Sequence, residues 1–296
     1  MSYPKYKESE FATANEFWEA FSPTKSLFKH PYNLIYRGQG DADWELIPSL
    51  LRGEYDSNSL LSFMGRRAKS DEMVFSELWL LQKFVEYCDH IGIRIPNDSV
   101  EFRNEVLKTD AQAQNKYLKN PALWPNPQLI ELMAMAQHHG VPTRLLDWTR
   151  QPYVAVYFAV SSALNNHKNW GTDGKLAVWI LNVEQLGLYP DVRLARVPSS
   201  ASKHISAQSG LFTIHSHSGY RGDKFEISAL ENSFSSLPDT PLIKFTLPVS
   251  EAVNLYKLCL KIGVNGASIY PSADGAGKAV QDSINCWAIH NKKLQQ

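Results

Sequence analysis

The chain lacks the signatures of several common protein classes. It has three cysteines, Cys88, Cys259 and Cys286, scattered and without a CxxC pair. That excludes a disulfide framework and predicts a reducing, cytoplasmic setting. No run approaches the roughly 20 apolar residues of a membrane span. The polar start, Met1 to Glu10, has no apolar core of a secretory signal. Net charge is also lacking: 30 Lys+Arg balance 30 Asp+Glu, for a formal charge of +0. A basic nucleic-acid tail is thereby excluded, and only a local basic groove remains open. Asp274-Gly-Ala-Gly-Lys-Ala279 fails as a phosphate loop, because Ser272 stands at the first glycine position and Ala279 at the hydroxyl position. No G-x-G-x-x-G follows a strand, and no G-x-S-x-G elbow occurs. His138-His139 and His215-x-His217 lack third and fourth ligands at zinc spacing, so no metal is expected.

What is present is an ordinary folded composition. Hydrophobic residues make up 44% and aromatics 11% of 296 residues, too rich for a disordered chain. The length fits one large domain or two small ones. Helical spacing marks Glu10 to Phe21, the stretch Leu60 to Leu107, Gln128 to His139 ahead of Gly140, and Pro152 to Leu164. Pro121, Pro125 and Pro127 break any helix between 120 and 127. Strands are predicted at Asn33 to Gly38, Lys175 to Leu181, His204 to Gln208, Leu211 to His215, Leu242 to Leu247 and Gly266 to Tyr270, with late helices from Ser250 and from about Gly275. Helices early and strands late argue for an α+β fold over a doubly wound sheet.

Two segments are more than solvated loops. In Tyr36-Arg-Gly-Gln-Gly-Asp-Ala-Asp-Trp44 an arginine ends a short apolar strand and is followed by two glycines. Buried there, Arg37 needs either an anion or a carboxylate such as Asp41 or Asp43. The glycines would let a ligand approach the backbone. In His138-His-Gly-Val-Pro-Thr-Arg-Leu-Leu-Asp-Trp-Thr-Arg-Gln-Pro152 a helix stop and an extended run lead into an apolar helix. Asp147 or Thr149 would serve as its cap. Arg144 and Arg150 flank Trp148, which fits either a phosphate-bearing aromatic ligand or a core tryptophan with ion-paired arginines.

These motifs resemble the FRG domain family: Tyr36-Arg37-Gly38, the run from Asp41 to Arg52, and Gln137 to Thr149 carry the likeness, with Ala207 to Thr213 and Tyr270 to Gly275 in support. Tyr36 stands where the family name implies Phe. The resemblance implies an FRG domain over about residues 30–290, an N-terminal helical segment at 1–29 and a helical insertion at about 56–127.

The order of the motifs is similar, more distantly, to that of the Arg-Ser-Glu class of ADP-ribosyltransferases. That likeness implies a single domain with a split antiparallel β core and NAD as substrate. Tyr36, Arg37, Gly38, Trp148 and Thr149 would bind NAD, and Asp147 and Gln208 would be the catalytic pair. Gln208 stands where that class has Glu and cannot act as a base. Asp147, Glu226 or Glu231 would then supply the carboxylate. Arg144, Arg150 and Lys203 would rim the cleft and steer an RNA or DNA acceptor, single-stranded in preference to duplex. The role implied is a toxin or anti-phage effector with a separately encoded antitoxin. The alternative is a nucleotide- or nucleic-acid-binding module without chemistry.

Overall fold

A computed structural model describes residues 3–25, 33–52, 68–108, 116–197, 209–215 and 219–294. One mixed sheet organises them. Its strands are β1 (Lys7–Glu10), β2 (Leu34–Gln39), β3 (Leu145–Thr149), β4 (Lys175–Asn182), β5 (Val192–Ala195), β6 (Gly210–His215) and β7 (Leu242–Pro248). They lie in the order β1-β7-β4-β2-β3-β6-β5. Neighbours are antiparallel except the β1–β7 edge, which is parallel. The α+β expectation holds.

The sheet is continuous, but its middle is narrow. β2 pairs with β4 along its whole length. Against β3 it forms a single pair, Tyr36 with Thr149. The same register would set Gly38 against Asp147, and those residues do not pair. The two halves therefore meet at one rung.

Side-chain alternation along the strands assigns the layers. On one face of the β7-β4-β2 half lie Tyr36, Val178, Ile180 and Leu247. They pack with the helices α1 (Ala14–Ala20), α4 (Pro152–Asn165) and α5 (Ala252–Lys261). On the β3-β6-β5 half, Leu145, Phe212 and Ile214 pack with α2 (Ser70–His90) and α3 (Ile130–His138). Ile35, Trp179, Trp148 and Leu211 form one apolar layer across the opposite face of both halves. Two helical packs thus stand side by side over the narrow rung.

α4 lies close on β2. A Cβ on Gly38 would fall 2.5 Å from the Ala159 nitrogen and closer still to the Ala155 carbonyl. On Gly40 it would fall 2.6 Å from the Ala163 nitrogen. These glycines, expected to serve ligand access, are needed instead for helix–strand packing. The later helices show the same device. Gly266 and Gly275 abut each other where the short helix α6 (Gly266–Ile269) crosses α7 (Ala273–Leu294).

Residues 266–270 are not the expected strand. The Asn265 side chain accepts from the Ala267 and Ser268 amides, and the Ser268 hydroxyl accepts from the Asn265 amide. This reciprocal cap starts a helix despite the β-rich composition. The predicted strand 204–208 lies outside the described residues. β1 and β5 are edge strands that periodicity does not reveal. All four side chains of β1 are exposed Lys, Glu or Ser, so no alternation betrays it.

Arg144 does not rim a cleft. It is fully buried, with its Nε 2.7 Å from Glu77 Oε2 and its Nη2 on Glu77 Oε1. Trp124 Nε1 donates to the same Glu77 Oε2 at 2.8 Å. The pair ties α2 to the entry of β3. Trp148 is also interior, and its indole donates to Thr213 Oγ1 at 2.9 Å. The core alternative for these two residues is the one the structure adopts.

This packing sets the expected cost of two substitutions. Gly38→Ala should destabilise the protein by about 3 kcal/mol, because its new methyl meets helix backbone that cannot rotate away. Chemical denaturation measures this, and an unchanged midpoint would show that α4 can shift. Arg144→Met should cost about 3–5 kcal/mol by stranding the Glu77 carboxylate, and Glu77→Met in the same chain should recover much of the loss.

Candidate functional site

Over the β2–β3 rung the two helical packs leave a cleft of about 690 Å³. α4 and α7 form one wall through Phe158, Ser162, Asp274 and Lys278, and the C-terminal end of α3 forms the other through Gln137 and His138. Tyr36 to Gln39, Asp147 to Thr149 and Gly210 to Phe212 form the floor, with Trp44 and Arg52 also lining the space.

Arg37 fills the place where the β-ladder stops. Its Nη1 donates to the Asp147 carbonyl at 2.9 Å and to Asp147 Oδ2 at 3.4 Å. The side chain is 12% exposed, whereas Asp147 is 57% exposed. Burial pushes the guanidinium below its ordinary pKa, Asp147 opposes that shift, and Arg52 reinforces it. Arg37 Nε is buried and has no acceptor among the described residues. A buried donor left unpaired costs about 1–3 kcal/mol, so an acceptor arriving in the cleft would relieve it. The partner of Arg37 is thus Asp147, neither Asp41 nor Asp43.

Asp147 is held from a second side. Gln137 Nε2 donates to its Oδ1, and Thr143 Oγ1 donates to Gln137 Oε1. The Thr143 oxygen accepts the Leu145 amide at 3.2 Å, which directs its proton to Gln137. Every bond in this chain points toward the carboxylate, so Asp147 acts as an acceptor on both oxygens. It is a strand residue of β3 and caps no helix. The cap-like bond at this turn comes from Thr149, whose Oγ1 accepts the Gln151 amide at 3.0 Å.

At the mouth, Tyr270 rests edge-on against Phe158, with the Lys278 ammonium 5.0 Å from its ring centroid. Burial pushes the Tyr270 phenol up to about 12, with Asp147 and Asp282 adding to the rise. At neutral pH it stays protonated and can donate.

The predicted site residues divide sharply. Arg37, Asp147, Gly38 and Thr149 meet at one floor. Tyr36 also lines it, yet its ring is buried in the core, where desolvation raises its phenol. Thr149 is buried with its hydroxyl engaged. Trp148 contributes to the floor, but its indole belongs to the core and offers no stacking face. Arg150 is exposed next to the site, and its amide donates to the Ser209 carbonyl at 3.3 Å. Lys203 and Gln208 lie outside the described residues. Glu231 is no cleft carboxylate: it is buried, accepts the Leu46 amide on both oxygens at 3.1 and 3.4 Å, and burial pushes its carboxyl up. Glu226 is exposed and does not line the cleft.

Trp44, Arg52, Gln137, Ser272 and Lys278 line the cleft although no site role is assigned to them from the sequence. Trp44, Arg52 and Gln137 sit inside the motif blocks, where a residue type without tertiary neighbours gives no reason to prefer them. Among the described residues no group of three His, Cys, Asp or Glu side chains could hold a metal, and no helix is long and apolar enough to cross a membrane.

No curated protein and no solved structure matches the chain. Residues 32–168 match the FRG domain. That segment holds β2, β3 and helices α2 to α4, and hence Arg37, Gln137 and Asp147; β4 to β7 lie beyond it. The chain is thus similar to the FRG domain over residues 32–168, somewhat less than half of its length.

Proposed function

We propose that the cleft binds NAD and that the protein is an ADP-ribosyltransferase-like enzyme. One observation carries this reading: the mostly buried guanidinium of Arg37, with its Nε unpaired among the described residues, lines a cleft at the point where the sheet nearly divides. A pyrophosphate offers the acceptors such a group lacks, and a guanidinium binds it in a planar, two-pronged fashion that an ammonium cannot. The cleft volume also lies within the range of small-molecule sites.

The residues divide the work as follows. Arg37 would hold the diphosphate. Asp147, fixed by Arg37 and Gln137, would place negative charge beside the sugar. NAD supplies an ADP-ribosyl group whose bond to nicotinamide breaks with positive charge building on the ribose, and a preset carboxylate favours that charge. Tyr270 would donate a hydrogen bond at the mouth. The near-division of the sheet at β2–β3 supports the kinship with a split β core.

A second reading rests on the same carboxylate. Both oxygens of Asp147 are already engaged, which suits a nucleotide-binding module without chemistry. As for an acceptor, Arg150 alone of the predicted rim residues is exposed among the described ones, so a single-stranded nucleic acid has lost Arg144 and the stacking face of Trp148 as support.

The deciding experiment incubates the purified chain with NAD and measures free nicotinamide by chromatography, with mass spectrometry for adducts on protein, RNA and DNA. The transferase reading expects nicotinamide release. Arg37→Lys should lower it by orders of magnitude while thermal stability is largely kept. Tight NAD binding without release would select the binding-module reading. An Arg37→Lys chain that melts early would make Arg37 a structural residue only.

A further inference from the structure

Trp44 is the unexplained residue of the cleft. It is 43% exposed, and its indole has no hydrogen-bond or ring partner among the described residues. The surrounding chain is pinned in contrast. The Ala42 amide donates to the Lys175 carbonyl at 2.7 Å, and the Asp43 amide donates to Asp41 Oδ1 at 2.9 Å. Trp44 closes the turn through its own amide, 3.4 Å from the Asp41 carbonyl. Gln39 Nε2 donates to the Glu45 carbonyl at 3.3 Å, and the Leu46 amide is held by the buried Glu231. Glu231 thus anchors this turn from beneath. The indole is carried on a rigid backbone and left bare where it lines the cleft.

Rigidity matters for what such an indole can bind. A preset aromatic face pays no ordering cost on binding. The lining it shares carries charged and polar groups, Arg37, Gln39, Arg52 and Asp147, beside the apolar Phe158 and Phe212. An apolar peptide or lipid would leave the Arg37 and Arg52 charges unmatched. A planar heterocycle attached to phosphate would find a stacking face and cations together. Arg52 is itself set by its Nε, which donates to the Ile47 carbonyl at 3.0 Å. Its charge lies close enough to act on Arg37.

We infer that Trp44 is a stacking platform for the nucleobase of a nucleotide whose phosphates lie at Arg37, with Arg52 as a second cation. The inference rests on the nucleotide reading of the cleft and adds the group that recognises the base. It moves the stacking role from Trp148, which is core, to Trp44.

Binding tests it without catalysis. Isothermal titration would compare ADP, ADP-ribose and ribose 5-phosphate on the wild-type chain, Trp44→Phe and Trp44→Ala. The wild type should bind ADP more tightly than ribose 5-phosphate. Trp44→Ala should weaken ADP and ADP-ribose about tenfold or more and leave ribose 5-phosphate unchanged. Trp44→Phe should keep most of the affinity, and circular dichroism melts should confirm that both variants fold. Equal loss for all three ligands, or no loss for ADP, would overturn the platform, and so would a wild type that binds none of them. If ADP binding depends on Trp44 but NAD yields no nicotinamide, the platform stands and the transferase reading falls.

Discussion

A β-ladder that stops after one rung, and the guanidinium that takes its place, govern the rest of this molecule. β2 and β3 share only the Tyr36–Thr149 pair. Past that point the Asp147 carbonyl has no strand partner across the gap, and Arg37 supplies the donor from a side chain. A charged donor restores what a backbone amide would have given, and it leaves a cationic centre inside the sheet. Because each half of the sheet carries its own helical pack, the gap between the packs falls over this centre. The cleft and its charge thus have a common origin.

The two motif arginines show how one residue type takes opposite roles. Arg144 is fully buried, and Glu77 matches its charge with geometry that meets both groups. Such a pair holds α2 against the start of β3 and has nothing left to offer a ligand. Arg37 is nearly as buried, but Asp147 meets only its Nη1, and Nε remains without an acceptor among the described residues. A complete pair is structural, whereas an incomplete one is available. The Glu77 pair also serves the site indirectly. It fixes the entry to β3, where Thr143 holds the Gln137 side chain that reaches Asp147 from the end of α3.

Much of this was legible in local sequence. The helices at 130–138 and 152–165 and the strands at 175–182 and 242–248 follow from periodicity, because each has one long apolar face or an unbroken buried run. The motif blocks located the floor of the cleft, since Arg37 and Asp147 are unusual residues beside apolar strands. Edge strand β1 was illegible because its exposed Lys and Glu side chains carry no pattern. Residues 266–269 misread as a strand because a reciprocal cap at Asn265 outweighs the propensity of the few residues that follow.

The sequence by itself determined the α+β class, the principal core segments and the membership of Arg37 and Asp147 in one unusual pair of motifs, because hydrophobic periodicity and residue chemistry are local properties. Only the tertiary structure decided which arginine is paired and which is available, which tryptophan is core and which lines the cleft, and that Gly38 and Gly40 yield to a helix. These depend on distances between segments more than a hundred residues apart in some cases, such as Arg37 and Asp147. Burial and partnership are set by what the fold brings alongside, and neither is a property of the residue alone.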